Sequence, residues 1–369
     1  MIDFELSEEQ QMMRDSVGAF AREEMRPAAR PADESGTIPA DLVAKAWQFG
    51  FVSGAIPEKF GGGGDARSAV TGAIVAEELG FGDISIALHV LAPRLFAFPI
   101  IEMGSDDQRA KYLKRFAGAE FAAATAAVME PRFDFDLSAL QVSARRDGGG
   151  FVLNGGKCYV PLAAESDAML VYAATDPAKG LAGVDGFIVA RGAAGVTVSE
   201  REKNMGLKAL ATHELTFKDC RIGADARLGG DKGIDFSRLM SESRVALAAM
   251  GVGVMNAAFE YARDYAKERK AFGVPIATKQ AIAFILADMA IEIDAARLLV
   301  WEAAFELDKG RDALKASYLA KNYVAQSALK VTDNGVQVLG GHGYIREHPV
   351  EMWLRNARGF SAIDGIATV

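Results

Sequence analysis

Apolar residues along this chain change their spacing twice, and that change constrains the fold more than any single motif. From the N-terminus to about residue 117 they recur at helical spacing. From Phe121 to about Leu228 they alternate or come in short runs, as in Leu140-Gln141-Val142-Ser143-Ala144 and Met169-Leu170-Val171-Tyr172, separated by Gly, Asp and Pro turns. After Lys232 the helical spacing returns. The predicted class is therefore α+β in three parts: an all-α domain over 1–120, an antiparallel β-barrel over 121–230, and a four-helix bundle over 231–369.

Local signals place the helices. Ser7 and Gln10 have the spacing of a capping box, and the helix they open turns Met13, Val17 and Phe20 inward until Pro27 stops it. Further helices are expected at 40–49, 66–79, 84–103 and 106–116, the last capped by Ser105. In the C-terminal part the spacing predicts helices over 234–268, 276–308 and 312–339, then a short one from Pro349 to Arg358.

Composition narrows the function. A net charge of −8 argues against a general nucleic-acid binder, which needs a basic face. Two scattered cysteines, Cys158 and Cys220, point to a reducing compartment, and the first residues lack the order of a signal peptide, so a cytoplasmic protein is expected. The longest apolar run, Val245 to Met255, is too short to span a bilayer and reads as a buried helix. His89, His213, His342 and His348 are dispersed without ligand spacing, so no metal site is expected.

The least ordinary stretch is Gln337 to Val369. Gly340, Gly341 and Gly343 interrupt a helical pattern, each at a cost of about 1 kcal/mol if it stayed helical. They are either a helix cap and turn or a bare backbone that something approaches closely. Asp364, followed by Gly365, is either a solvated residue near the chain's end or a carboxylate placed for proton transfer.

Six segments taken in order decide between these readings. They are IPEKFGGGG at 56–64, MEP at 129–131, FVLNGGKCYV at 151–160, KNMGLKALATHELTFKDC at 203–220, ERKAFGVPIATKQAIAFILADM at 268–289 and QVLGGHGYIREHPVE at 337–351. Together they closely resemble the acyl-CoA dehydrogenase family of flavoproteins, from Leu6 to Gly365. The resemblance implies FAD between the β domain and the bundle, with a neighbouring subunit of a homotetramer completing the site. It implies that Arg269, with Phe272, meets the FAD pyrophosphate across the subunit interface, where a guanidinium fork suits the charge. Gln280 is implied as a flavin contact from the second bundle helix. Gln337, Gly340 and Gly341 are implied to lie against the adenosine half, where side chains would hold the backbone away.

Nearer the flavin ring this chain departs from the family. Met129 replaces a threonine whose hydroxyl meets the flavin pyrimidine, leaving the backbone N–H. Tyr159 and Pro161 stand for an aromatic and a Thr or Ser facing flavin N5, and proline supplies neither hydroxyl nor N–H. Phe135 replaces a serine that touches CoA, and the family's Thr-x-Gln FAD contact reads Ile366-Ala367-Thr368. Asp364 stands where the family's glutamate removes the α-proton of the acyl-CoA, with an arm one methylene shorter; its backbone N–H is implied to hold the thioester oxygen. Arg244 matches a CoA-side arginine. Ser243 holds the family's alternative base position, and the adjacent Glu242 reads as a solvated helix charge.

The resemblance implies an FAD-dependent acyl-CoA dehydrogenase that oxidises an acyl-CoA to the trans-2-enoyl-CoA with Asp364 as base and passes electrons to an electron-transfer flavoprotein. The altered contacts keep two alternatives: a non-catalytic subunit of a heterotetramer with a homologous, active chain, and a divergent oxidase or lyase.

Overall fold

Ser7 and Gln10 close the capping box on α1 (Glu8–Phe20) in the computed structural model, which describes residues 5–369. Pro27 does not end the helical path, contrary to expectation. A π turn over Ala21–Met25 widens the backbone, and α2 (Arg26–Ser35) follows with Pro27 in its first turn, where no N–H is needed. Gly36, with φ of 72°, ends it instead. The N-terminal part continues through α3 (Ala40–Trp47), α4 (Ala69–Gly82), α5 (Ile84–Leu91), α6 (Arg94–Met103) and α7 (Asp106–Tyr112). The single helix expected at 84–103 is thus two, broken at Ala92 and Pro93.

The central part holds seven strands: β1 (Thr125–Ala127), β2 (Ser143–Asp147), β3 (Gly150–Pro161), β4 (Ala168–Ala174), β5 (Val184–Ala190), β6 (Val196–Arg201) and β7 (Thr212–Gly223). The order is β1-β4-β2-β3-β7-β6, with β5 also paired to β4. This corrects the predicted closed antiparallel barrel. The sheet is an open half-barrel, and β1 runs parallel to β4. Successive β4 side chains alternate between two apolar clusters, Leu170 and Tyr172 packing with Phe96, Phe116 and Phe236, Met169 and Val171 with Phe187, Leu215 and Phe217. Burial on both faces is why β4 reads as an unbroken apolar run.

The C-terminal part begins with α8 (Phe236–Glu268) and a two-strand hairpin, β8 (Lys270–Ala271) and β9 (Val274–Pro275). Then come α9 (Gln280–Asp308), α10 (Leu314–Leu339), the one-turn α11 (Gly341–Tyr344) and α12 (Val350–Arg358). Helices α8, α9 and α10 share one core with α1–α5. Where α4 crosses α8 the backbones touch: a Cβ on Gly80 would lie 2.5 Å from the Met250 carbonyl oxygen, and one on Gly253 2.1 Å from that of Glu77. Gly251 serves packing too, since a Cβ there would lie 2.2 Å from Val324 Cγ1 on α10. Two helical stretches, 84–103 and 236–268, are long and apolar enough to cross a membrane, but 89% and 78% of their apolar windows are buried inside the fold.

Candidate active site

A buried ion pair builds the floor of a cavity between the sheet and the C-terminal helices. Lys157, on β3, is fully buried and donates from Nζ to the Val128 carbonyl at 2.7 Å and to Glu130 Oε1 at 3.2 Å. Glu130 also accepts from the backbone N–H groups of Gln141 and Val142 and from Arg132 Nε. Burial works to raise the Glu130 carboxyl, yet Lys157 and those donors hold it below its usual range; burial pulls Lys157 down to about 8. With every lone pair occupied, this network clamps Met129-Glu130-Pro131 against β3.

The cavity above encloses about 670 Å³ and is lined by Met129, Phe135, Tyr159, Arg244, Lys321 and Asp364, among others. A β-bulge between Lys157 and Val160 turns Tyr159 into it with φ of 51°, a costly conformation for an aromatic residue. The Tyr159 N–H donates to Glu202 Oε1 at 3.2 Å. Across the cavity, Asp364 Oδ1 accepts from the Gly365 N–H at 3.0 Å and Oδ2 from Arg244 Nε at a long 3.4 Å. The Asp364 backbone N–H points at Met129 Sδ, 3.2 Å away, a weak acceptor that an oxygen can displace. Lys321, on α10, stands near the same carboxylate; burial lowers its ammonium, Asp364 partly restoring it.

The other predicted residues fall elsewhere. Pro161 and Thr368 are buried and do not line this cavity. Arg269, Phe272, Gln280, Gln337, Gly340 and Gly341 are exposed at the far end of the bundle. Tyr265 and His342 hold that group together: the Tyr265 hydroxyl lies 2.7 Å from His342 Nδ1, bringing α11 to the end of α8, where Arg269 caps the helix. Phe272 is 97% exposed at the tip of the β8–β9 turn with φ of 55°. A Cβ on Gly340 or Gly341 would meet nothing within 4 Å. Arg244 lies in the third turn of α8 and Arg269 is its C-cap, and 25 residues of about 1.5 Å rise place them roughly 37 Å apart. Glu242, expected to be solvated, is 1% exposed and held by Arg67 at 2.9 Å and Arg238 at 3.1 Å. Its helix face packs against N-terminal elements that a reading of α8 alone does not see. Sequence reasoning also missed Tyr318 and Lys321; their i, i+3 spacing puts them on one face of α10.

The three parts match three consecutive families of domains: acyl-CoA dehydrogenase N-terminal over residues 7–120, middle over 125–220 and C-terminal over 233–369. The chain belongs to the acyl-CoA dehydrogenase family. Cyclohex-1-ene-1-carbonyl-CoA dehydrogenase of Geobacter metallireducens is 36% identical over 360 residues, 96% of this chain and 93% of that protein. Among solved structures, butyryl-CoA dehydrogenase from Megasphaera elsdenii superposes with a TM-score of 0.88 at 30% identity, covering 100% of this chain and 96% of that one. A structure of PigA with FAD and proline gives 0.89 at 27% identity, covering 100% and 96%. These likenesses span all three parts, including both the cavity and the far end of the bundle.

Proposed function

We propose that this chain is an FAD-dependent acyl-CoA dehydrogenase that oxidises an acyl-CoA to the trans-2-enoyl-CoA, with Asp364 as the base. The observation that carries the reading is the convergence of the Asp364 carboxylate, its displaceable backbone N–H and Arg244 on one cavity. FAD fits the residues present: the cavity has room beside Tyr159, and the bare Gly340-Gly341 backbone with Arg269 offers an open, cationic seat for a dinucleotide. When bound, FAD supplies the hydride acceptor.

The residues of the chain do the rest. The acyl thioester oxygen takes the Asp364 N–H from Met129 Sδ, which polarises the carbonyl and acidifies the α-carbon. Asp364 receives the α-proton at Oδ2, since the long Arg244 contact there yields more readily than the Gly365 N–H on Oδ1. Arg244 then remains free for the CoA side of the substrate. Met129 and Tyr159 form the flavin-ring side with Pro161 buried behind them at the end of β3, and Thr368 supports the segment carrying Asp364. Arg269, Phe272, Gln280, Gln337, Gly340 and Gly341 serve a second copy's cofactor, because one dinucleotide cannot reach along α8 from Arg244 to Arg269. The assembly is a homotetramer, an electron-transfer flavoprotein takes the electrons, and the two free buried cysteines fit a cytoplasmic setting.

Purified protein tests this directly. A yellow solution bleached anaerobically by an acyl-CoA, with bleaching lost in Asp364→Ala, is the expected result. Colourless protein that cannot be reconstituted with FAD would favour the non-catalytic subunit. Rapid return of colour in air would favour the oxidase.

A further inference from the structure

A second cavity, of about 310 Å³, opens among the start of α1, the turn after α3, the start of α4 and the start of α6. None of its lining residues lines the active-site cavity. Phe49, Phe51 and Phe98 give it aromatic walls, and two arginines, Arg67 and Arg94, face into it.

Arg94 is the unusual one. It is 6% exposed; Nε donates to the Phe51 carbonyl at 2.8 Å, while Nη1 is buried with no partner. Among the described residues no carboxylate pairs with it. Burial, and then the neighbouring charge of Arg67, push its guanidinium down to about 9. Arg67 is held by Glu102, by Glu242 and by the Val369 carbonyl, but its Nε is likewise buried and unpartnered. Both guanidinium groups lie over the same Phe98 ring, at 4.1 and 5.2 Å from its centre. A buried guanidinium with no counter-ion, lining a cavity beside a second guanidinium, describes a site missing an anion.

We infer that this cavity binds a small monocarboxylate with an apolar body, its carboxylate set against the Arg94 guanidinium and its body resting on the phenylalanines. A multiply charged phosphate suits the place poorly, because Glu9 and Asp65 also line it and the walls are aromatic. The inference is independent of the acyl-CoA reading, since it uses none of the residues assigned to that reaction.

Benzoate is the probe, with acetate and inorganic phosphate as comparators, titrated calorimetrically into the FAD-loaded full chain. The expected result is saturable binding of one benzoate per chain, with acetate and phosphate at least about tenfold weaker. Arg94→Met should weaken benzoate by about tenfold or more. Because that change alters a buried group, Ala66→Trp, at an exposed lining position, is the second variant: it should block benzoate without moving the thermal midpoint. Asp364→Ala should leave benzoate binding intact, which separates this site from the active one. The inference is overturned if wild-type protein shows no saturable benzoate binding, if both cavity variants bind it as the wild type does, or if phosphate binds more tightly.

Discussion

Lys157 keeps its charge away from water only because Glu130 and the Val128 carbonyl accept its hydrogen bonds, so the pair depends on both partners. Lys157→Met should destabilise the protein by about 3–5 kcal/mol in urea unfolding, and a second change, Glu130→Gln, should recover part of that loss. Glu78 makes the opposite prediction. Burial, then the adjacent Glu77 charge, push its carboxyl up to about 7. The folded chain therefore holds a proton that the unfolded chain releases between about pH 4.5 and 7, and stability falls as pH rises through that window. Glu78→Gln should remove up to about 2 kcal/mol of that fall, so the variant gains on the wild type between urea midpoints at pH 5 and pH 8. At Met129, replacement by threonine should free the Asp364 N–H and raise kcat/KM for an acyl-CoA severalfold.

The packing of α4 on α8 belongs to the elements, and its tolerance is measurable. Gly253→Ala should cost about 3 kcal/mol or more, since its new carbon meets main chain that cannot give way, whereas Gly149→Ala, with nothing within 4 Å, should leave the urea midpoint unchanged. At this scale the helices and strands were legible because periods of 3.6 and 2 are local properties of a few turns or residues. Closure of the sheet was not. The parallel pairing of Thr125 with Met169 joins segments far apart in the chain, and nothing in either announces the other. Glu242 was misread for the same reason, its arginine partner Arg67 lying 175 residues away. The glycines at 340 and 341 stand out in the sequence as breaks in a helical pattern, and Gly340, with φ of 58°, caps α10. The sulfur of Met129 against the Asp364 N–H, 235 residues distant, had no local trace.

In the assembly we propose, the separation of Arg244 from Arg269 along α8 makes a complete site the product of two chains. Asp364→Ala and Arg269→Ala, each inactive alone, should complement when co-refolded: random pairing leaves one intact site in half the dimers, about a quarter of wild-type activity. No recovery would place both residues in one chain's site. The same body is tied at several seams. Arg355 on α12 grips Asp33 of α2 at 2.7 Å and the Met205 carbonyl at 3.1 Å, and the Leu207 N–H donates to Asn356 at 2.8 Å. With the Gly80 and Gly253 contacts added, the three parts have no free joint about which to rotate. Opening of the active site then falls to small segments such as the turn bearing Phe133, which is fully exposed at the cavity's rim. Hydrogen exchange on adding an acyl-CoA should slow around residues 131–137 while the domain seams stay unchanged, the signature of a local latch and not of a hinge.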